Sequence, residues 1–217
     1  MRIPLSPHGK REFGLATVGC GLLAWGLWLI APSLALIPGA LWLFVLSFFR
    51  DPERTLPADA SVLVSPADGT VTDITEVAST PLLAEPCLRV GIFLSVFNVH
   101  VNRAPLSGRV GGLEYRPGRF LDARHPDCSR ENEAQDILLE GACPVVVRQI
   151  AGLIARRIVC PLAVGATVER GQRIGMIKFG SRTELLVPKR LAPVALVKVG
   201  DPVRGAASAL MRIGGAP

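Results

Sequence analysis

The sequence predicts a mainly β fold of the α+β class: a barrel-sandwich-like domain preceded by a transmembrane or membrane-embedded helical hairpin. Three observations predict it. From Phe13 to Phe49 no side chain is charged, well beyond the about 20 apolar residues that one helix needs to cross a hydrocarbon core. Beyond residue 61, β-branched and apolar residues alternate with polar ones in short runs, the period-two signature of strands. Finally, Gly165 to Gly175 and Val199 to Gly205 share a Gly/Val cadence that marks strand–turn–strand corners.

Residues 1–12 form a basic N-terminal segment with Arg2, Lys10 and Arg11. The apolar run 13–49 is too long for one span and short for two. Pro32 and Pro38 interrupt it, so two tight segments, 13–31 and 33–49, are expected as a hairpin or a pair of tilted spans. Positive residues flank both ends, Lys10 and Arg11 before and Arg50 and Arg54 after. The positive-inside rule then puts the protein in the cell membrane with the β domain facing the cytoplasm. Residues 50–60, charged and punctuated by Pro52 and Pro57, read as a linker, and 61–217 as the β domain.

The net charge of +6 suits either nucleic acid or an anionic membrane. A single Tyr leaves little for base stacking, so no nucleic-acid partner is expected and anionic lipid is preferred. The five cysteines and three histidines show no metal-ligand spacing, so no metal site is expected, and the thiols are read as reduced.

Within the β domain, Val62-Leu63-Val64 is a strand, Pro66-Ala67-Asp68-Gly69 a turn, and Leu88 to Leu94 a second strong strand leading to Val99-His100-Val101. On its own Asp68 is a turn aspartate, and His100 a packed strand histidine. Residues 119–135, with Pro126 and clustered Asp, Ser and Asn, read as a long loop. Gly171 to Lys178 and Leu185 to Val187 are strand pieces meeting at Gly180-Ser181, a dipeptide that by itself is an ordinary turn.

The order of these motifs changes that reading. Ser65-Pro66-Ala67-Asp68-Gly69, Phe97-Asn98-Val99-His100-Val101-Asn102-Arg103-Ala104-Pro105, Ser129-Arg130-Glu131-Asn132-Glu133 and Phe179-Gly180-Ser181 follow an apolar N-terminus that runs into Phe48-Phe49-Arg50-Asp51-Pro52. Together, over about Phe48 to Pro188, they resemble the phosphatidylserine decarboxylase family in its short, membrane-anchored form. The resemblance implies a pyruvoyl enzyme that cuts itself between Gly180 and Ser181 into 1–180 and 181–217, the latter headed by pyruvate made from Ser181. It implies a heterodimer of these two fragments, or a higher oligomer of that pair, with phosphatidylserine as substrate.

The product would be phosphatidylethanolamine, formed through a Schiff base to the keto group, in phospholipid biosynthesis. His100 becomes the base that activates Ser181, and Asp68 the group that orients it. Longer members often carry a second histidine three residues after the first; here that position is Arg103, which suits a substrate carboxylate or phosphate. Phe179 and Arg182 also depart from the Leu-Gly-Ser-Thr form of the motif. Rival readings are a non-catalytic membrane-anchored β domain, whether a degenerate member or a carrier using Lys178, and a soluble pyruvoyl enzyme acting on a free amino acid.

Overall fold

The computed structural model describes residues 5–153, 157–178 and 181–214. The chain forms two compact units, Met1–Glu53 and Arg54–Pro217.

In the first unit, helix α1 (Lys10–Ile30) is followed by a 3-10 turn, Pro32–Ala35, and helix α2 (Leu36–Phe48). The break has a local cause: a residue before proline is pushed out of the α region, and Ala31 is extended at φ −155° and ψ 120°. The two helices differ in length more than the sequence indicates. The apolar helical run Pro7–Ile30, 24 residues long, is long and apolar enough to cross a membrane. The 13 residues of α2 cover only about 20 Å, short of the core thickness. The first helix starts earlier than expected, at Lys10, and the 3-10 turn takes three residues from the second segment.

Trp42 Nε1 donates to Thr17 Oγ1 at 3.0 Å across the two helices, and Ser6 N donates to Phe49 O at 2.9 Å where the unit's ends meet. No residue of α1 is buried. Trp25, Leu29 and Ile30 are each more than half exposed, a surface suited to lipid.

The second unit is built from strands. These are β1 (Val62–Val64), β2 (Gly69–Val77), β3 (Cys87–Leu94), β4 (Val101–Arg103), β5 (Gly108–Arg116), β6 (Ala134–Gly141) and β7 (Pro144–Ala151). They continue as β8 (Arg157–Val159), β9 (Thr167–Val168), β10 (Arg173–Lys178), β11 (Ser181–Pro188), β12 (Pro193–Ala195), β13 (Pro202–Val203) and β14 (Ala209–Ile213). An eight-stranded antiparallel sheet runs β13-β2-β3-β11-β7-β6-β5-β9, and two three-stranded sheets run β1-β14-β12 and β4-β10-β8.

The fold is therefore mainly β with an apolar helical N-terminus. One face of the large sheet buries Val90, Ile92, Ile137, Val145, Leu185 and Val187 in the main core. The corners sit where the Gly/Val cadence places them, with Gly165, Gly171 and Gly200 at φ of 91°, 81° and 95°, a region that favours glycine. The loop expected over 119–135 contains one helical turn, α3 (Cys128–Glu131), and gives way to β6 at Ala134.

Candidate active site

Strand β11 lies between β3 and β7, and its first residue, Ser181, is registered against Leu94 on one side and Ala151 on the other. Successive residues of a strand point to opposite faces. Ser181, Thr183, Leu185 and Val187 therefore share the core face, and Arg182, Glu184 and Leu186 the reverse. Ser181 is fully buried, and its Oγ has no hydrogen-bond partner among the described residues. Leaving a buried hydroxyl unsatisfied costs about 1–3 kcal/mol, so such an exception asks for an explanation. Phe179 and Gly180, the other half of the junction, lie outside the described residues.

His100 is fully buried just before β4. Its Nδ1 stands 3.0 Å from the carbonyl oxygen of Asn98. A carbonyl can only accept, so the neutral ring carries its proton on Nδ1 and leaves Nε2 as the basic nitrogen. The Asn98 carbonyl is fixed in turn, because Asn98 Oδ1 accepts from Ser95 N and Ser95 Oγ, both at 2.8 Å. Ile177 N donates to His100 O at 3.2 Å, which ties the histidine to β10, the strand that leads toward residue 181.

Asp68 is nearly buried. Its Oδ1 accepts from Gly205 N at 2.8 Å and its Oδ2 from Arg54 Nη2 at 2.6 Å. The Nδ1 bond that orients the imidazole thus comes from Asn98, while the Asp68 carboxylate secures its own loop to the chain at Arg54 and Gly205. Arg103 is also buried, and its Nη1 donates to Gly171 O at 3.1 Å.

The reverse face of β11 carries a buried ionic belt that the sequence reading did not anticipate. Fully buried Glu184 accepts from Arg182 Nε at 2.8 Å and from the Ser129 hydroxyl through Oε1, with Arg89 and Arg148 at 3.6 and 3.7 Å. Arg148 makes a two-pronged pair with Asp136 at 2.6 and 2.7 Å, and Arg89 reaches Asp73 at 3.0 Å. Arg182 also binds Asp73. The belt crosses β2, β3, β11, β7 and β6 without a break.

Burial alone pushes the Asp73 carboxyl up, but Arg182 and Arg89 outweigh it and hold the group below the usual carboxylate range. A Cβ on Gly91 would collide with the Arg182 guanidinium, so glycine there makes room for the belt. The trace of it in the sequence is a lone arginine among apolar residues at Arg89 and at Arg148, and the two-residue spacing of Arg182 and Glu184.

Beyond the start of β11, a pocket of about 340 Å³ is lined by Phe93, Ser95, Val96, Asp122, Ala123, Arg124 and Leu153. Phe93 and Ser95 flank Leu94, one strand partner of Ser181, and Leu153 lies two residues past Ala151, the other. The Arg124 guanidinium sits 5.7 Å above the Phe93 ring. Asn132, fully buried, pins this side of the loop: it exchanges two 2.9 Å bonds with the Leu121 backbone and donates to Ala151 O at 2.7 Å.

Cysteine chemistry is disfavoured here. Burial pushes the Cys87 and Cys143 thiols up to about 11, so neither is a thiolate near neutral pH.

Comparison with known proteins gives this arrangement a family. The family model described as phosphatidylserine decarboxylase matches residues 41–210. The chain is 48% identical over 217 residues to the phosphatidylserine decarboxylase proenzyme of Trichlorobacter lovleyi, covering 97% of each chain. It belongs to the phosphatidylserine decarboxylase family. Other members include the proenzymes of Pelobacter propionicus, 49% identical over 80% of this chain and 79% of the relative, and of Syntrophus aciditrophicus, 46% identical over 82% and 83%. The decarboxylase family match begins inside α2 and ends inside β14, so it takes in Asp68, His100, Arg103, Ser181 and every member of the ionic belt.

Proposed function

We propose that this chain decarboxylates phosphatidylserine to phosphatidylethanolamine, using a pyruvoyl group that it makes from its own Ser181 by cutting the Gly180–Ser181 bond. The observation that carries the reading is the buried Ser181 Oγ with no described hydrogen-bond partner, placed at the very start of a strand. A structural serine at such a position would be satisfied. One that is consumed by the chain's own chemistry has to be left untied.

The residues present fit that chemistry. Nε2 of His100, left basic by the Asn98 bond, takes the Ser181 Oγ proton as the oxygen attacks the Gly180 carbonyl carbon. The peptide C–N bond breaks and the amine of residue 181 takes up the proton, so an ester replaces the amide. A base then removes the Cα proton of residue 181, and breaking its Cβ–O bond expels Gly180 as a carboxylate and leaves dehydroalanine. Water hydrolyses this to the keto group with loss of ammonia. Asp68, braced by Arg54 and Gly205, serves from its loop as the electrostatic partner of the imidazolium.

When formed, the pyruvoyl group supplies an amine-reactive ketone for Schiff-base chemistry with the serine headgroup and a sink for the electrons released with carbon dioxide. The chain's own part in turnover is to hold the substrate, exclude water and return a proton through His100. The pocket beside Leu94 and Ala151 supports a lipid substrate, since the Phe93, Val96, Ala123 and Leu153 part of its lining suits the start of the acyl chains. Arg103 is the residue set aside for substrate carboxylate or phosphate. The apolar N-terminal helix holds the enzyme at the membrane with the β domain on the cytoplasmic side, and anionic lipid is the surface it meets.

Strands β11 to β14 all fall in fragment 181–217, and β11, β13 and β14 pair with strands of 1–180, which supports a heterodimer of the two pieces. Intact mass of purified protein tests the proposal. Two fragments, the smaller with a blocked N-terminus, are expected. A single chain with an ordinary serine at 181 in protein that still releases carbon dioxide from phosphatidylserine would overturn it.

A further inference from the structure

His100 leads into the β4-β10-β8 sheet and Ser181 begins a strand of the eight-stranded one, so the fold needs a device that sets one against the other. Asn102 occupies the place where such a device would sit. It is fully buried and follows His100 by two residues. Its Nδ2 donates to Thr183 Oγ1 at 2.9 Å and reaches Pro66 O at 3.5 Å. Its Oδ1 accepts from Gln149 Nε2 at 2.8 Å.

The spacing of these partners is regular. Thr183 follows Ser181 by two, and Pro66 precedes Asp68 by two. Gln149 is registered against Thr183 as Ala151 is against Ser181. Because strand side chains repeat every two residues, Thr183 and Ser181 share a face of β11, and Gln149 and Ala151 share one of β7. The main chain reinforces the join, with Arg103 N donating to Pro66 O at 2.9 Å. Across β10, a Cβ on Gly175 would come within 2.7 Å of Gln149 Nε2, so glycine there leaves the Gln149 amide its place.

We propose that Asn102 is a positioning residue: its carboxamide registers the segments that carry His100, Ser181 and Asp68, and so sets the reach of the imidazole to the Ser181 hydroxyl. The inference rests on the reading of Ser181 as the self-cleavage site. All partners of the carboxamide are neutral, so it fixes distances without placing a charge beside the reacting hydroxyl.

The test uses the full chain in its native membrane or in detergent. The conversion of one chain into two is followed over time by denaturing gel and intact mass, alongside the thermal midpoint. Thr183→Val keeps the side-chain volume and removes the oxygen that Asn102 binds. A misplacement of about 1 Å can cost about 10²-fold in rate, so cleavage should slow by roughly 10- to 100-fold, and Thr183→Ser should restore most of the rate. Wild-type cleavage in Thr183→Val, or a loss that Thr183→Ser fails to restore, would overturn the inference while wild-type self-cutting leaves the parent reading intact. Should Thr183→Val not accumulate as folded protein, Gln149→Met removes the other bond: slowed cutting at an unchanged thermal midpoint supports the role, and unchanged cutting ends it. A wild-type chain that never cuts brings down the parent reading instead.

Discussion

The two faces of β11 do opposite things within a few ångströms of each other. On the core side the Ser181 hydroxyl has no hydrogen-bond partner among the described residues, and the Thr183 hydroxyl beside it accepts from the neutral Asn102 carboxamide. On the reverse side Arg182 and Glu184 are locked into ion pairs that reach across five strands. If Ser181 reacts as proposed, the contrast is a way for a fold to hold a reactive atom steady without bonding to it. Fixing the Ser181 hydroxyl through its own hydrogen bond would tie up the group that has to react, whereas fixing its strand from behind leaves the oxygen unencumbered.

Breaking the core face alone should give the largest effect. Ser181→Ala should abolish cutting and leave one chain by intact mass, with little change in thermal midpoint, because the lost oxygen has no described partner to strand. His100→Ala should come next. General-base help is worth about 10²–10⁴ in rate, so the appearance of the two fragments should slow by that order while circular dichroism stays native.

Breaking the reverse face should instead cost stability. Glu184→Gln leaves Arg182, Arg89 and Arg148 without their shared counter-charge, and removing one partner of a buried ionic cluster typically costs about 3–5 kcal/mol. Denaturant unfolding of the uncut Ser181→Ala background measures this free of any effect on cutting. If Glu184→Gln proves as stable as its parent, the belt is not what steadies the strand.

Acid gives the mildest test. The Asp73 carboxyl is held below the usual range in the folded state, so its ionised form stabilises the fold above the unfolded carboxylate pKa, near 4. That contribution should fade as pH falls through the lower, folded value. Asp73→Asn should therefore lower the thermal midpoint at pH 7 modestly and flatten its decline below about pH 4. The effect is small because the Asp73 side chain is 24% exposed and partly screened.

Much of this arrangement was legible in the chain. A missing charge marks the apolar helical segment, Pro32 marks its break, and Gly165, Gly171 and Gly200 mark corners that need positive φ. Ser181 and His100 stood out through the order of their motifs. The belt did not, because Arg89, Arg148 and Arg182 each read as one polar position in an alternating strand. Their pairing depends on which strands become neighbours and in what register, which composition does not carry. Asp68 shows the same limit: a DG turn was visible, but its partners Arg54 and Gly205 are brought to it only by the finished fold. Asn102, Gln149 and Thr183 are individually unremarkable polar residues, and their two-residue offsets acquire meaning only once β4, β7 and β11 are stacked.

If the chain is cut before residue 181, the place of residues 181–217 in the sheets bears on the life of the molecule afterwards. They supply the middle of the large sheet through β11 and the middle of a small one through β14. A severed chain would have no seam along which to part, and separation would mean ripping open both sheets. Reassembly would then be a meeting of two molecules in place of the closure of one, so melting would be one-way and the enzyme would have only one chance to fold.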